Sequence, residues 1–267
     1  MARSSAPHSR EARTVMNLKV ATSLDEIIES WRLVYHQYVA AMLIDVNPFS
    51  IFTFPEYISR NAAVILGKNG DKSTCTISAV LDSKRGLPLD AYFKEELDGL
   101  RKENRKLIEI GLLACSRETV NPTHTIKLLS AIGRYGVYSH YHDYVIGVHP
   151  RRAEFFKRIF GFQVIGESKV YHRLRKAEVI LLYADGQHFE TMARKASHDI
   201  YYEPTDLKFE KRFRFSRLAM LRSADAGDYF VAFSKKLKEQ FLPPKKMKLT
   251  PTRLPESYPG TVGLAGI

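Results

Sequence analysis

Along residues 15 to 185 the apolar positions switch between two periods, and each switch marks an element. Val15 to Ala21 has strand character, and Thr22 with Ser23 caps the segment that follows. Leu24, Ile27, Ile28, Trp31, Val34, Tyr35, Tyr38, Val39 and Met42 recur at helical spacing, with the acids Asp25 and Glu26 in the first turn. Ile44 to Pro48 ends this helix. The next loop carries Phe49, Phe52, Phe54 and Tyr57; loops usually avoid such residues, so they are expected to fold over something apolar. Strands at Asn61–Leu66 and Ser73–Leu81 are joined through Asn69-Gly70, a hairpin signal. A turn-rich loop over 82–88 leads to a helix from Asp90 to about Asn104. After the stretch Arg105 to Glu118, Asn121-Pro122 opens a helix running to about Ser139, with its N-terminal amides directed at the end of the preceding strand. Tyr144–Val148 is a strand, Arg151–Phe160 a short basic helix closed by Gly161, and Phe162–Ile165 with an interrupted Val170–Tyr183 complete the sheet. This order predicts an α/β (α+β) domain, a mixed twisted sheet with helices on both faces.

The stretch Arg105 to Glu118 is apolar almost throughout, which predicts a strand buried on both faces, and Glu109 interrupts it. A carboxylate there costs several kcal/mol unless it is hydrogen-bonded, paired or protonated. Strict alternation sets Glu109, Gly111, Leu113 and Cys115 on one face and Ile110, Leu112 and Ala114 on the other. Gly111 leaves room beside the acid and signals a bulge or a closely approaching ligand. Two readings of Glu109 stand side by side: a catalytic or substrate-orienting carboxylate, and a structural acid paired with a neighbouring arginine.

The 267 residues suffice for one sizeable domain with extensions or for two small ones, and 45% hydrophobic with 26% charged residues is ordinary for a globular chain. The net charge of +12 changes the picture, because it attracts nucleic acid, a membrane face or an acidic protein. Residues 1–14 carry charges without an apolar segment behind them and are read as a disordered arm; no run is long enough for a membrane span, so a cytoplasmic location is expected. Cys75 and Cys115, with no metal-ligand spacing, are expected as reduced buried thiols, and Cys115 as inert. His140 and His142 lack the partners of a metal site, so no metal is expected. Glycine-rich dinucleotide and P-loop motifs and the Gly-x-Ser-x-Gly elbow are absent.

Several strings in order resemble the GNAT-type acyltransferase fold in its branch of N-acyl amino acid synthases, relatives of acyl-homoserine-lactone synthases. They are Trp31 to Tyr38 followed by Ile44 to Pro48, Thr76 to Leu89, Leu107 to Ala114 with its acid, and His149-Pro150 with Phe155 to Phe162. The resemblance covers about 15–185 and implies an acyltransferase domain there, with 186–267 as a basic C-terminal extension. It implies Glu109 as the catalytic acid-base residue, and Arg32, Tyr35, Asp45, Arg85, Leu112 and Leu113 as substrate-binding. It also implies attack by a substrate amine on an acyl thioester, with no cofactor beyond an acyl-phosphopantetheine donor. Leu112 stands where the lactone synthases tend to have arginine, which favours the amino-acid branch and leaves a lactone-synthase-like enzyme as the alternative. The turn from Arg117 to Thr123 lacks the glycines of coenzyme A-binding relatives, and Glu118 would repel a pyrophosphate. An acyl carrier protein docking on Arg151, Arg152, Lys157 and Arg158 is therefore the expected donor, with acyl coenzyme A left open, and an amino acid is the expected acceptor. A second alternative is a non-catalytic basic protein whose segment Lys208 to Lys248 contacts nucleic acid; that partner is the less favoured one.

Overall fold

A central sheet runs in the order β1-β2-β3-β4-β5-β8-β6, with β7 added on β8. It belongs to a computed structural model that describes residues 16–117, 121–141, 143–202 and 206–215. The strands are β1 (Asn17–Val20), β2 (Ala62–Asn69), β3 (Lys72–Leu81), β4 (Leu107–Cys115), β5 (Asp143–Val148), β6 (Gln163–Val164), β7 (Lys169–Tyr171) and β8 (Ala177–Ala184). The helices are α1 (Leu24–Ala40), α2 (Asp90–Lys102), α3 (Pro122–Ser139), α4 (Ala153–Phe160), α5 (Gly186–Ala196) and α6 (His198–Tyr202). The punctuation read from sequence acts where expected. Ser23 accepts from the Glu26 N–H as the cap of α1, and Gly161 closes α4 in the left-handed conformation. Gly70 turns the β2-β3 hairpin with φ of 60°. All neighbouring pairs on the main path are antiparallel except β4 and β5.

Each face of the sheet carries its own core. On one, Ile108 and Ile110 of β4 pack with Leu128 and Ile132 of α3, Phe160 of α4 and Phe189 of α5. On the other, Leu107 and Leu112 pack with Ile28, Trp31 and Tyr38 of α1 and Phe93 of α2. The aromatic loop joins this second core: Tyr57 is buried, and Phe49, Phe52 and Phe54 pack against it half-buried. Residues 186–202, placed in the C-terminal extension from sequence, form α5 and α6 and bury Phe189, Ala193 and Ile200 in the first core. Most of the basic segment from Lys208 to Lys248 lies outside the described residues. Among the described residues no helix is long and apolar enough to cross a membrane.

Two expectations are overturned in β4. Opposite it, β3 pairs Ser78 with Gly111 and Thr76 with Ala114, so Leu112 and Leu113 together face the single residue Ile77. This is a bulge, and Leu112 adopts φ of 49° to make it. The alternation therefore skips: Glu109, Leu112 and Ala114 share the second core's side, while Leu113 and Cys115 point into the first. Cys115 and Cys75 are directly opposed in register and joined as a disulfide, so they are not free thiols, and the bulge takes Cys115 off the Glu109 face.

Candidate active site

The parallel pairing of β4 and β5 covers only Leu107–Ile110 against Asp143–Ile146. Beyond that point β5 stays with β8 and β4 with β3, and the sheet forks. The first residue past the last pair on each arm is a glycine, Gly111 and Gly147, and both line a cavity of about 30 Å³. Side chains there would collide with what packs around the fork. A Cβ on Gly147 would lie 2.8 Å from Leu89 Cδ2; one on Gly111 would collide with Tyr57 Oη and lie 3.0 Å from its Cζ. Tyr38, Phe54, Leu112 and Tyr171 supply the apolar walls.

Glu109 lies at the base of this cavity, 3% exposed. Its Oε2 accepts from the Leu89 N–H at 2.8 Å. The loop that delivers this N–H is pinned by Arg101, whose guanidinium bonds Asp82 (2.6 Å) and Asp90 (2.6 and 2.9 Å), while Asp90 also accepts from the Leu87 N–H. Leu89 is the N-cap of α2, so the positive end of that helix faces the carboxylate. Burial nevertheless pushes the Glu109 carboxyl well above its ordinary range. The Leu89 N–H opposes the rise, the fields of Glu56 and Asp90 add to it, and Arg173 opposes it. Burial, then the Glu109 charge, also drives the Tyr57 phenol upward, and Tyr171 behaves alike, so both remain neutral hydroxyls. Arg173 pairs with Glu56 at 2.9 Å, leaving Glu109 held by a main-chain donor rather than by an arginine.

The other residues expected at the site scatter. Leu112 lines the cavity, but Leu113 is turned to the opposite core by the bulge. Arg32 is exposed on α1 and Arg85 exposed in the loop before α2, and neither lines the cavity. Asp45 is exposed and pairs with Arg175. Tyr35 is buried, with its hydroxyl accepting from the Asn47 N–H at 3.2 Å and so anchoring the segment after α1. Arg151 and Arg152 form a short turn before α4; Arg151 and Arg158 are exposed, and Lys157 pairs with Glu154 at 2.9 Å. Asn121 caps α3 by accepting from the Thr123 N–H at 2.9 Å, whereas Glu118 lies outside the described residues. Sequence reasoning passed over Gly147, Leu89, Glu56 and Arg173. Only Gly147 had a local signal, a glycine inside a buried strand.

The sequence and the fold of this chain are both matched among known proteins. The family model for N-acyl amino acid synthase FeeM matches residues 29–185. The chain belongs to this family. The solved structure of FeeM, from uncultured soil microbes, superposes with a TM-score of 0.59 at 21% identity, covering 67% of this chain and 96% of that one. A CoA-dependent acyl-homoserine lactone synthase, BjaI, solved with SAM and isopentyl-CoA, gives 0.55 at 10% identity, covering 74% of this chain and 99% of that one. The AHL synthase LasI gives 0.52 at 14%, covering 67% and 96%. No curated protein sequence matches. At such identities the structures speak for the shared fold, and the family match makes the chain an N-acyltransferase of the FeeM family.

Proposed function

We propose that this FeeM-family enzyme transfers a long fatty acyl group from the phosphopantetheine thioester of an acyl carrier protein to the amine of an amino acid. The observation that carries this reading is Glu109, buried at the fork and held by the Leu89 N–H. An amino acid arrives as an ammonium, and acylation must remove that proton before nitrogen can attack. A carboxyl raised by burial ionises when a cation is set beside it, and in that form it is a strong enough base for the ammonium proton. The free amine then adds to the thioester carbon. The tetrahedral species loses its second N–H proton, the C–S bond breaks, and the thiolate leaves with a proton. Main-chain amides along the bulged arm at Gly111-Leu112 would face the thioester oxygen as charge gathers on it. The acyl chain would lie against the aromatic loop of the second core; a cavity of about 30 Å³ requires those side chains to part for it.

A carrier-protein donor is supported by the +12 charge, by the lack of glycine between Arg117 and Thr123, and by Arg151 and Arg158, exposed on the turn and helix that follow β5. The testing experiment extracts small molecules from cells overexpressing the protein and identifies them by mass spectrometry. Fatty acyl amides of amino acids are the expected products, and their absence alongside another acylated amine would overturn the acceptor. For the donor, Arg151→Glu with Arg158→Glu should lower the second-order rate with acyl carrier protein by about tenfold or more at low salt, because such rim charges act on encounter. An unchanged rate would remove this surface from consideration.

A further inference from the structure

Glu56 and Arg173 act on the charge of Glu109 but have no part in the chemistry above. They are 117 residues apart in sequence and meet through one contact, Arg173 Nη2 to Glu56 Oε1 at 2.9 Å. Each keeps a second polar atom that is buried and has no hydrogen-bond partner: Glu56 Oε2 and Arg173 Nη1. Buried charged groups rarely leave such atoms unsatisfied, since the desolvation is then uncompensated. The arginine is nonetheless firmly placed. Its guanidinium lies 5.6 Å from the centre of the Phe54 ring, a wall of the Glu109 cavity, and its main-chain N–H donates to Tyr92 Oη at 3.2 Å. The flanking residues Tyr171 and Leu174 line the same cavity. Other arginines of this region are spent elsewhere: Arg101 on Asp82, Asp90 and Asp98, and Arg175 on Asp45.

On the reading that the acceptor is an amino acid, we infer that Glu56 and Arg173 form its recognition site, with Arg173 Nη1 taking the α-carboxylate and Glu56 Oε2 the α-ammonium. The pair presents one unused donor and one unused acceptor of opposite charge, the complement of a zwitterion. Its net charge is zero, so a simple amine or a simple carboxylic acid would satisfy one atom, leave the other without a hydrogen bond and bring in a net charge, whereas a zwitterion satisfies both. The charge of Glu56 also acts on Glu109, which makes it an electrostatic neighbour of the proposed base. Arg173 is a specificity residue in this scheme and takes no part in proton transfer.

The experiment supplies hexadecanoyl-carrier protein with either an equimolar mixture of the twenty standard amino acids or the matched mixture of their carboxamides, and measures products by mass spectrometry. The wild-type enzyme should prefer the acids by roughly a hundredfold or more in kcat/KM, as sites built around a charged partner do. Arg173→Met should reduce that preference to a few-fold, through a fall in kcat/KM for the acids. Should the methionine variant not fold, Arg173→Lys keeps the charge but not the planar fork, and it should lose most of the preference because a compact ammonium cannot hold Glu56 and the substrate carboxylate at the guanidinium's spacing. A preference retained in these variants, or a wild-type enzyme that acylates both mixtures equally, overturns the recognition site while leaving N-acylation of amines standing. A wild-type enzyme that acylates neither mixture removes the amino-acid acceptor itself, and the recognition site with it.

Discussion

Replacing Glu109 by glutamine tests the buried acid through stability as well as rate. The substitution is nearly isosteric, and the glutamine oxygen still accepts the 2.8 Å bond from the Leu89 N–H. What it removes is the titration. In the unfolded chain Glu109 ionises near the ordinary glutamate value of about 4.3. Burial places the folded value well above that. Within the window between the two, the folded state holds a proton that the unfolded state has released, so wild-type stability is fully present below the window and falls as pH rises through it. The slope is about 1.4 kcal/mol per pH unit for one group. The Glu109→Gln variant has no such slope. The difference in unfolding free energy, variant minus wild type, should therefore grow by about 1.4 kcal/mol for each unit above roughly pH 5 and level off at the folded value of Glu109. Urea melts of both proteins at half-unit steps from about pH 4.5 to pH 8 measure it directly. In parallel, amine acylation should fall by about 10²–10⁴-fold in the variant. A stability difference that stays flat across the range would mean that Glu109 is ionised in the fold like a surface acid, and the argument from burial would fail.

Other outcomes follow from the same geometry. Gly111→Ala forces a methyl group onto Tyr57 Oη inside a buried ring packing and should cost about 1–3 kcal/mol; Tyr57→Phe in the same chain should recover part of it, measured as a thermal-melt double-mutant cycle. Asp143→Ala strips the 1% exposed carboxylate that accepts from Arg105 Nη2 at 2.6 Å and from the Gly186 N–H at 3.2 Å. It should cost about 2–3 kcal/mol in denaturant melts, the low side of the range for broken buried pairs because Arg105 keeps access to water.

Much of the frame was legible because local chemistry dictates it. Ser23 could be read as a cap, Asn69-Gly70 as a turn and Gly161 as a stop without knowing any neighbour, and the only acid in an apolar run drew attention to Glu109 for a reason the burial bears out. What failed did so where the outcome depends on distant partners. The face of Leu113 and Cys115 followed from strict alternation until β3 supplied one residue against two. The pairing of Cys75 with Cys115 needs the register of two strands, which spacing does not encode. Glu56 and Arg173 look like ordinary loop charges, since nothing local to either shows that two residues 117 apart will meet, or that Phe54, next to Glu56 in the same loop, will hold the arginine. Arg32 and Arg85 were selected by motif position, and that position places them on the surface.

Leu112 can also be described as a phase shift. Delete it on paper and every remaining residue of β4 keeps its observed side: Leu107, Glu109, Gly111 and Ala114 toward one core, Ile108, Ile110, Leu113 and Cys115 toward the other. The regularised strand would also shed a left-handed leucine, a conformation that costs on the order of 1–3 kcal/mol. Loss of one residue from a buried strand ordinarily throws everything beyond it out of register; here it would restore the ladder and erase the kinked arm next to the acid. A single in-frame codon thus separates this chain from a straighter, quieter scaffold, and the kink is preserved only as long as what it does outweighs what it costs the fold.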